Sequence, residues 1–222
     1  MNQFWDPVLL SIKVALVSGM IVIIVGTLIG WLMSFRSFPG QVILETIIML
    51  PLVLPPSVVG FVLIVTFGKQ SVIGKAIEAF FGQPIIFTWW AAVIAATVVS
   101  FPLMYQSAKT GFQSVNRDIE GAARVDGASE RQVFLFISIP LAFKSIVSGG
   151  LLSVARALGE FGATLMFAGN IPGKTQTVPT AIYVAINSGN MRLAWGWVIS
   201  VMIISFIMLL TVQTGRRKSP EL

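Results

Sequence analysis

A chain of 222 residues in which 55% of side chains are hydrophobic and only 11% charged is too apolar for a soluble domain, whose charged share is about 25%. The net charge of +6 does not point to nucleic acid, because the basic residues stand at the ends of apolar runs and form no basic face mixed with aromatics. The absence of Cys and His removes disulfide frameworks, thiolate catalysis and the commonest zinc ligands; the apolar composition places the chain in a bilayer, and its apolar runs are expected to form an all-α, polytopic membrane protein.

The opening MNQFWDPVLLSIKVALVSG lacks the basic n-region and small-residue cleavage site of a signal peptide, and reads as an uncleaved first span. Its charge-free part runs from Val14 to Phe35 and contains a Gly26/Gly30 pair. That spacing suits close helix contact, although Gly is common in spanning helices in any case. Arg36 and the turn Ser37-Phe38-Pro39-Gly40 end this span.

The next apolar stretch, Thr46 to Gly68, holds Pro51, Pro55 and Pro56 near mid-membrane, with Ser57 just beyond. Irregular backbone at that depth survives only where protein buries it or where it lines a watery cavity, and both readings stay open. Lys69 to Pro84 is a loop with room for a short amphipathic helix. The third span lies within Ile85 to Lys109, with Trp89 and Trp90 as an interfacial belt.

Ser114 to Pro140 is the longest segment that does not span. Asn116 can cap a helix whose first turns carry Asp118 and Glu120, opposite the positive end of the helix dipole. This helix should stop near Gly127. Ser129 followed three positions later by Gln132 makes a capping box for a second helix, which should run until Pro140 withholds its N–H. A charged, bent helix pair with Ala122, Ala123, Gly127 and Ala128 as its small residues is suited to dock in a partner's cleft.

From Lys144 a fourth helix is expected to climb through Gly169, with Arg156 and Glu160 one turn apart, Arg156 roughly 18 Å beyond Lys144. Charges at that depth need partners. Either they form a structural ion pair, or Arg156 lends positive potential to an anion path while Glu160 sets a gate; a structural or gating role is preferred, because tight ligands would slow release. Gly159 and Gly162 flank Glu160 and suit close approach or a hinge. Asn170 to Arg192 reads as a loop, in which Asn170 and Lys174, together with Thr164 before it, offer donors to an oxyanion or form a polar turn. The run Gly169 to Thr175 is one residue short of a P-loop and lacks the preceding strand, so no nucleotide site is expected in this chain. The last span is Leu193 to Gly215.

An external amino terminus gives five spans. It collects Arg36, Lys109, Arg117, Arg124, Arg131, Lys144, Arg216, Arg217 and Lys218 in the cytoplasm and leaves Lys69, Lys75, Lys174 and Arg192 outside, a positive-inside bias that makes the carboxyl terminus and the helix pair cytoplasmic.

The series Glu120, Ala122, Ala123, Arg124, Gly127, Ala128, Ser129, Phe134, Ile139 and Pro140 resembles the "EAA" loop of bacterial ABC importer permeases, with Gly121 as one departure. Arg156 to Tyr183, and the segment MLPLVLPPSVVGFVLI, are similar to the corresponding stretches of molybdate importer permeases; sulfate and thiosulfate permeases resemble the former region too. The resemblance implies a type I importer permease fold over 1–222 as a single domain, with residues of about 114–140 forming a coupling helix. It further implies a homodimer in the cell (inner) membrane, a cytoplasmic ABC ATPase dimer holding ATP and Mg2+, an extracytoplasmic oxyanion-binding protein, and no cofactor in this chain. The rivals are an autonomous channel, a secondary carrier and a membrane-embedded enzyme; none accounts for the charged helix pair.

Overall fold

The computed structural model describes residues 4–35 and 38–217, with side chains as far as Leu210. Arg36, Ser37 and Lys218, and the side chains of Arg216 and Arg217, lie outside this description. Among the described residues four helices are long and apolar enough to cross a bilayer, or five if a bent helix pair counts as one broken span.

Helix α1 (Trp5–Phe35) begins a full two turns before the charge-free stretch. It can include Lys13 because the ammonium lies 4.4 Å from the centre of the Trp89 ring, where the aromatic face stabilises a cation. Helix α5 (Trp89–Gln113) runs parallel to it. The Gly26/Gly30 pair is a real contact surface: a Cβ on Gly26 would lie 2.7 Å from Met104, and one on Gly30 only 2.9 Å from the backbone nitrogen of Lys109. Helix α8 (Ile139–Leu158) runs antiparallel to both, with Gly111 and Gly149 opposite Ser145 and Ser107. Small residues bring these three helices close enough for dispersion and backbone contact, which replace the missing hydrophobic drive in lipid.

The proline-rich stretch breaks as its composition requires. Helix α2 (Gln41–Val53) ends at Leu54, Pro55 stays extended, and Pro56 opens helix α3 (Pro56–Phe67), where its missing N–H costs nothing. The two helices are bent by 118°. A short helix α4 (Val72–Phe81) follows, capped by Ser71, whose Oγ accepts from the Gly74 N–H at 2.8 Å.

Three expectations are corrected. Pro140 does not stop the second helix of the charged pair. A π-turn at Phe134–Ser138 sends the Ile139 N–H back five residues to the Phe134 carbonyl, and Pro140 sits just past that widened turn, so Glu130 to Leu158 forms one 29-residue span. Conversely, the fourth helix is not continuous to Gly169: it ends at Leu158 and restarts as helix α9 (Gly162–Ala168). Finally, the loop from Asn170 to Arg192 contains helix α10 (Val178–Asn187). Pro179 suits its first turn, and Ser11 of α1 accepts from the Val178 N–H at 2.7 Å, a cap supplied from 167 residues away. Helix α11 (Met191–Arg217) closes the chain, held at its start by Trp197 Nε1 donating to the Phe4 carbonyl at 2.8 Å.

Candidate functional site: a docking knob and two facing helix breaks

The charged pair forms as its caps dictate. Asn116 accepts from the Asp118 N–H at 2.9 Å and opens helix α6 (Arg117–Val125); Gly127 turns the chain with φ +92°. Helix α7 (Glu130–Val133) then starts on a complete Ser129/Gln132 capping box. The surface presented outward mixes small and apolar residues with the charges of Arg117, Asp118 and Asp126. Val125 is 88% exposed and Ile119 46%, Ala122 and Gly127 are exposed, and Ala123 and Ala128 are half-buried. Arg124 is turned onto Glu130 by two bonds of 2.6 and 3.1 Å, and that carboxylate holds the guanidinium further above its ordinary range.

Glu120 does not belong to that outer surface. It is 2% exposed and accepts from Ser138 Oγ at 2.6 Å, with Arg124 at 3.9 Å from its other oxygen.

The second group of predicted residues lies at the far end of the same span. Arg156 and Glu160 pair at 2.8 Å, and the second Glu160 oxygen accepts from the Ala163 N–H at 2.8 Å. Glu160 thus caps the restarted helix while neutralising Arg156. Both carboxylate oxygens have partners within the break. The helix ends at Leu158, with Gly159 just past it. Gly162 provides the close approach: a Cβ on it would lie 2.8 Å from Pro56 and 3.6 Å from the Ser57 nitrogen, and one on Gly60 would lie 2.6 Å from Met166. The Pro55-Pro56-Ser57 break and the Glu160 break therefore face each other, with Thr164 buried behind them and Pro55, Pro56 and Ser57 open to the surface.

Asn170 and Lys174 make no hydrogen bond or ion pair with Arg156 or Glu160. In their loop the Ile171 carbonyl accepts from the N–H groups of Lys174, Thr175 and Gln176 at 3.0, 2.9 and 3.1 Å. The backbone donors that a phosphate loop would offer are thus turned inward. Lys174 is exposed, and the Asn170 side-chain oxygen is buried without a partner.

Sequence reasoning missed a second ion pair between helices: Lys109 of α5 meets Glu45 of α2 at 2.6 Å, and Gln41 donates to the same carboxylate at 2.7 Å. A glutamate at the edge of an apolar run was the available signal, since such a charge requires a partner. It tethers α2, which has no buried residue of its own, to the three-helix core.

A bundle of apolar spans with broken helices facing each other at depth and a charged knob at one end defines a polytopic transport subunit. The chain belongs to the family of binding-protein-dependent transport system inner membrane components, whose profile matches residues 23–215. It is 66% identical over 212 residues to YvgM of Bacillus subtilis (strain 168), which carries the provisional name of a molybdenum transport system permease protein; the match covers 96% of this chain and 93% of that one. It is 42% identical over 184 residues to the molybdenum transport system permease protein ModB of Escherichia coli (strain K12), covering 83% and 80%. Among solved structures, a bacterial ABC transporter involved in alginate import superposes with TM-score 0.76 at 13% identity over 100% of this chain and 81% of that one. The MetNI methionine ABC transporter in an inward-facing form gives 0.72 at 16%, over 96% and 94%. These two establish the fold, which is that of an ABC importer permease.

Proposed function

We infer that this chain, acting as one domain over 1–222, is the membrane-spanning subunit of an ATP-driven importer that carries molybdate into the cell. The observation that carries the reading is the similarity, along nearly the whole chain, to molybdenum transport permeases of two bacteria. The subunit works as a homodimer with the path along its two-fold axis, amino terminus outside and carboxyl terminus in the cytoplasm, as the basic residues of its loops favour. The small outer face of the knob, with Ala122, Ala123, Gly127 and Ala128, docks in a groove of a cytoplasmic ATPase dimer. ATP and Mg2+ reside there, and this chain contributes no nucleotide site. An oxyanion-binding protein delivers the anion at the opposite face, past Asn170 and Lys174.

Closure of the ATPases drives the knobs together and tilts the spans until the path opens outward. The facing breaks at Pro55–Ser57 and Gly159–Glu160 let the spans bend where no helical hydrogen bond need be broken anew. The Arg156–Glu160 pair keeps that break neutral, so the anion meets many weak donors rather than one fixed charge. Hydrolysis resets the path inward.

The test is ATP-dependent uptake of labelled molybdate into proteoliposomes holding this chain with its ATPase and binding protein. Competition by tungstate and not by excess sulfate is the expected result. Competition by sulfate reassigns the substrate, and uptake without the ATPase overturns the importer reading.

A further inference from the structure

We propose that Glu120 acts inside the protein, as the tether through which the docking knob moves the fourth span, and that its working partner is Ser138 in the π-turn. The inference rests on the importer reading above and deepens it.

Burying a carboxylate to 2% exposure is unfavourable unless strong hydrogen bonds compensate. Glu120 has one, the 2.6 Å bond from Ser138 Oγ, and the cation nearest to it is only partly available: Arg124 stands 3.9 Å away and is held bidentately by Glu130. Ser138 is itself fully buried. Its Oγ also lies 3.3 Å from the Val133 carbonyl, five residues earlier, in the widened turn where the Ile139 N–H reaches Phe134. The Ser138 hydroxyl thus ties α6 directly to the only π-turn among the described residues, alongside the Arg124–Glu130 pair that joins α6 to the start of the same long helix. Such turns interrupt α-helices mostly at working positions, because they can shift register while their ends stay helical.

The surroundings favour transmission. The exposed surface of α6 carries Ile119, Ala122 and Val125 together with Arg117, Asp118 and Arg124, so a partner can hold the knob without touching Glu120. Between the knob and the end of α1 lies a cavity of about 170 Å³ lined by Trp31, Phe35, Arg124, Glu130 and Ser138, among others. The knob is therefore not packed solidly onto α1; of the two polar links from α6 to the fourth span, the Arg124–Glu130 pair is exposed and the Glu120–Ser138 bond is the buried one that reaches the π-turn.

The experiment compares the assembled importer carrying Ser138→Thr, Ser138→Val or Glu120→Gln, reading ATPase copurification and molybdate transported per ATP hydrolysed. Thr and Val have nearly the same shape and differ by the hydroxyl. Ser138→Thr is expected to couple as the parent does, whereas Ser138→Val retains the ATPase but transports about tenfold less per ATP, the scale of one lost charge-assisted hydrogen bond. Glu120→Gln, which still accepts from Ser138, keeps copurification and most of the coupling. Equal behaviour of the Thr and Val variants, whether both couple or both fail, overturns the tether. Loss of copurification in Glu120→Gln with normal coupling in Ser138→Val overturns it in favour of a direct ATPase contact. Absence of molybdate uptake by the parent complex is a failure of the importer reading instead, and is visible before any variant is made.

Discussion

Glu120 and Glu160 are both nearly inaccessible, at 2% and 3% exposure, both stand four residues from an arginine, and both lie beside an irregular turn of the chain. Their wiring differs. Glu160 satisfies both oxygens within its own break, one on Arg156 and one on the Ala163 N–H, so it closes a local structure. Glu120 reaches a residue 18 positions later, so it joins two elements. Sequence order alone gives the opposite ranking of the ion pairs: a glutamate preceding its arginine is the better arrangement on a helix, yet that pair is the looser one, at 3.9 against 2.8 Å. The reason is competition, because Glu130 takes Arg124 in a bidentate grip. A buried carboxylate's role follows from where its second oxygen goes.

The contrast is most strongly tested at Glu160. Glu160→Ala leaves the part-buried Arg156 without its carboxylate and uncaps α9, a loss of about 1–3 kcal/mol. A drop in the melting temperature of the purified chain is expected, partly recovered in Glu160→Gln, which keeps the cap; an unchanged melt removes the structural role. A comparable effect is expected where the two breaks face each other. Gly162→Val forces side-chain atoms into Pro56, with overpacking worth about 1–3 kcal/mol, and should raise the accessibility of a cysteine placed at position 57 to a thiol reagent, a clean readout in a chain without cysteine.

The smallest effects belong to the knob. At Gly127 a Cβ meets nothing, so Gly127→Val is opposed only by the left-handed backbone at φ +92°, about 1–2 kcal/mol. That should distort the knob's turn and weaken ATPase copurification while the spans melt as before. Gly121→Ala, also in open space but inside helix α6, should raise stability by about 0.5–1 kcal/mol and leave copurification intact. Equal loss of copurification in both would mean that the partner, and not the turn, reads these positions.

Much of the architecture was legible beforehand. The apolar runs marked the spans, the Pro55-Pro56 pair marked a break, and Asn116, Ser129 and Gln132 marked the knob's two helix starts, because caps and prolines act over a few residues. The ion pair Arg156–Glu160 was readable for the same reason, at one-turn spacing. The π-turn was not, since Phe134 to Ser138 differs in no local preference from an ordinary apolar helix. Nor was α10, whose cap comes from Ser11, nor the Glu45–Lys109 pair, which joins residues 64 positions apart.

By itself the sequence determined that this chain lives in a membrane, roughly where it crosses, where it breaks and where its knob begins, because hydropathy, proline chemistry and capping are local. Only the tertiary structure decided that Gly162 receives Pro56, that Gly26 and Gly30 receive α5, and that Glu120 turns inward to Ser138. Those outcomes depend on which helices touch, and in a bilayer that choice is made by the fit of small residues and the pairing of buried polar groups across the whole chain.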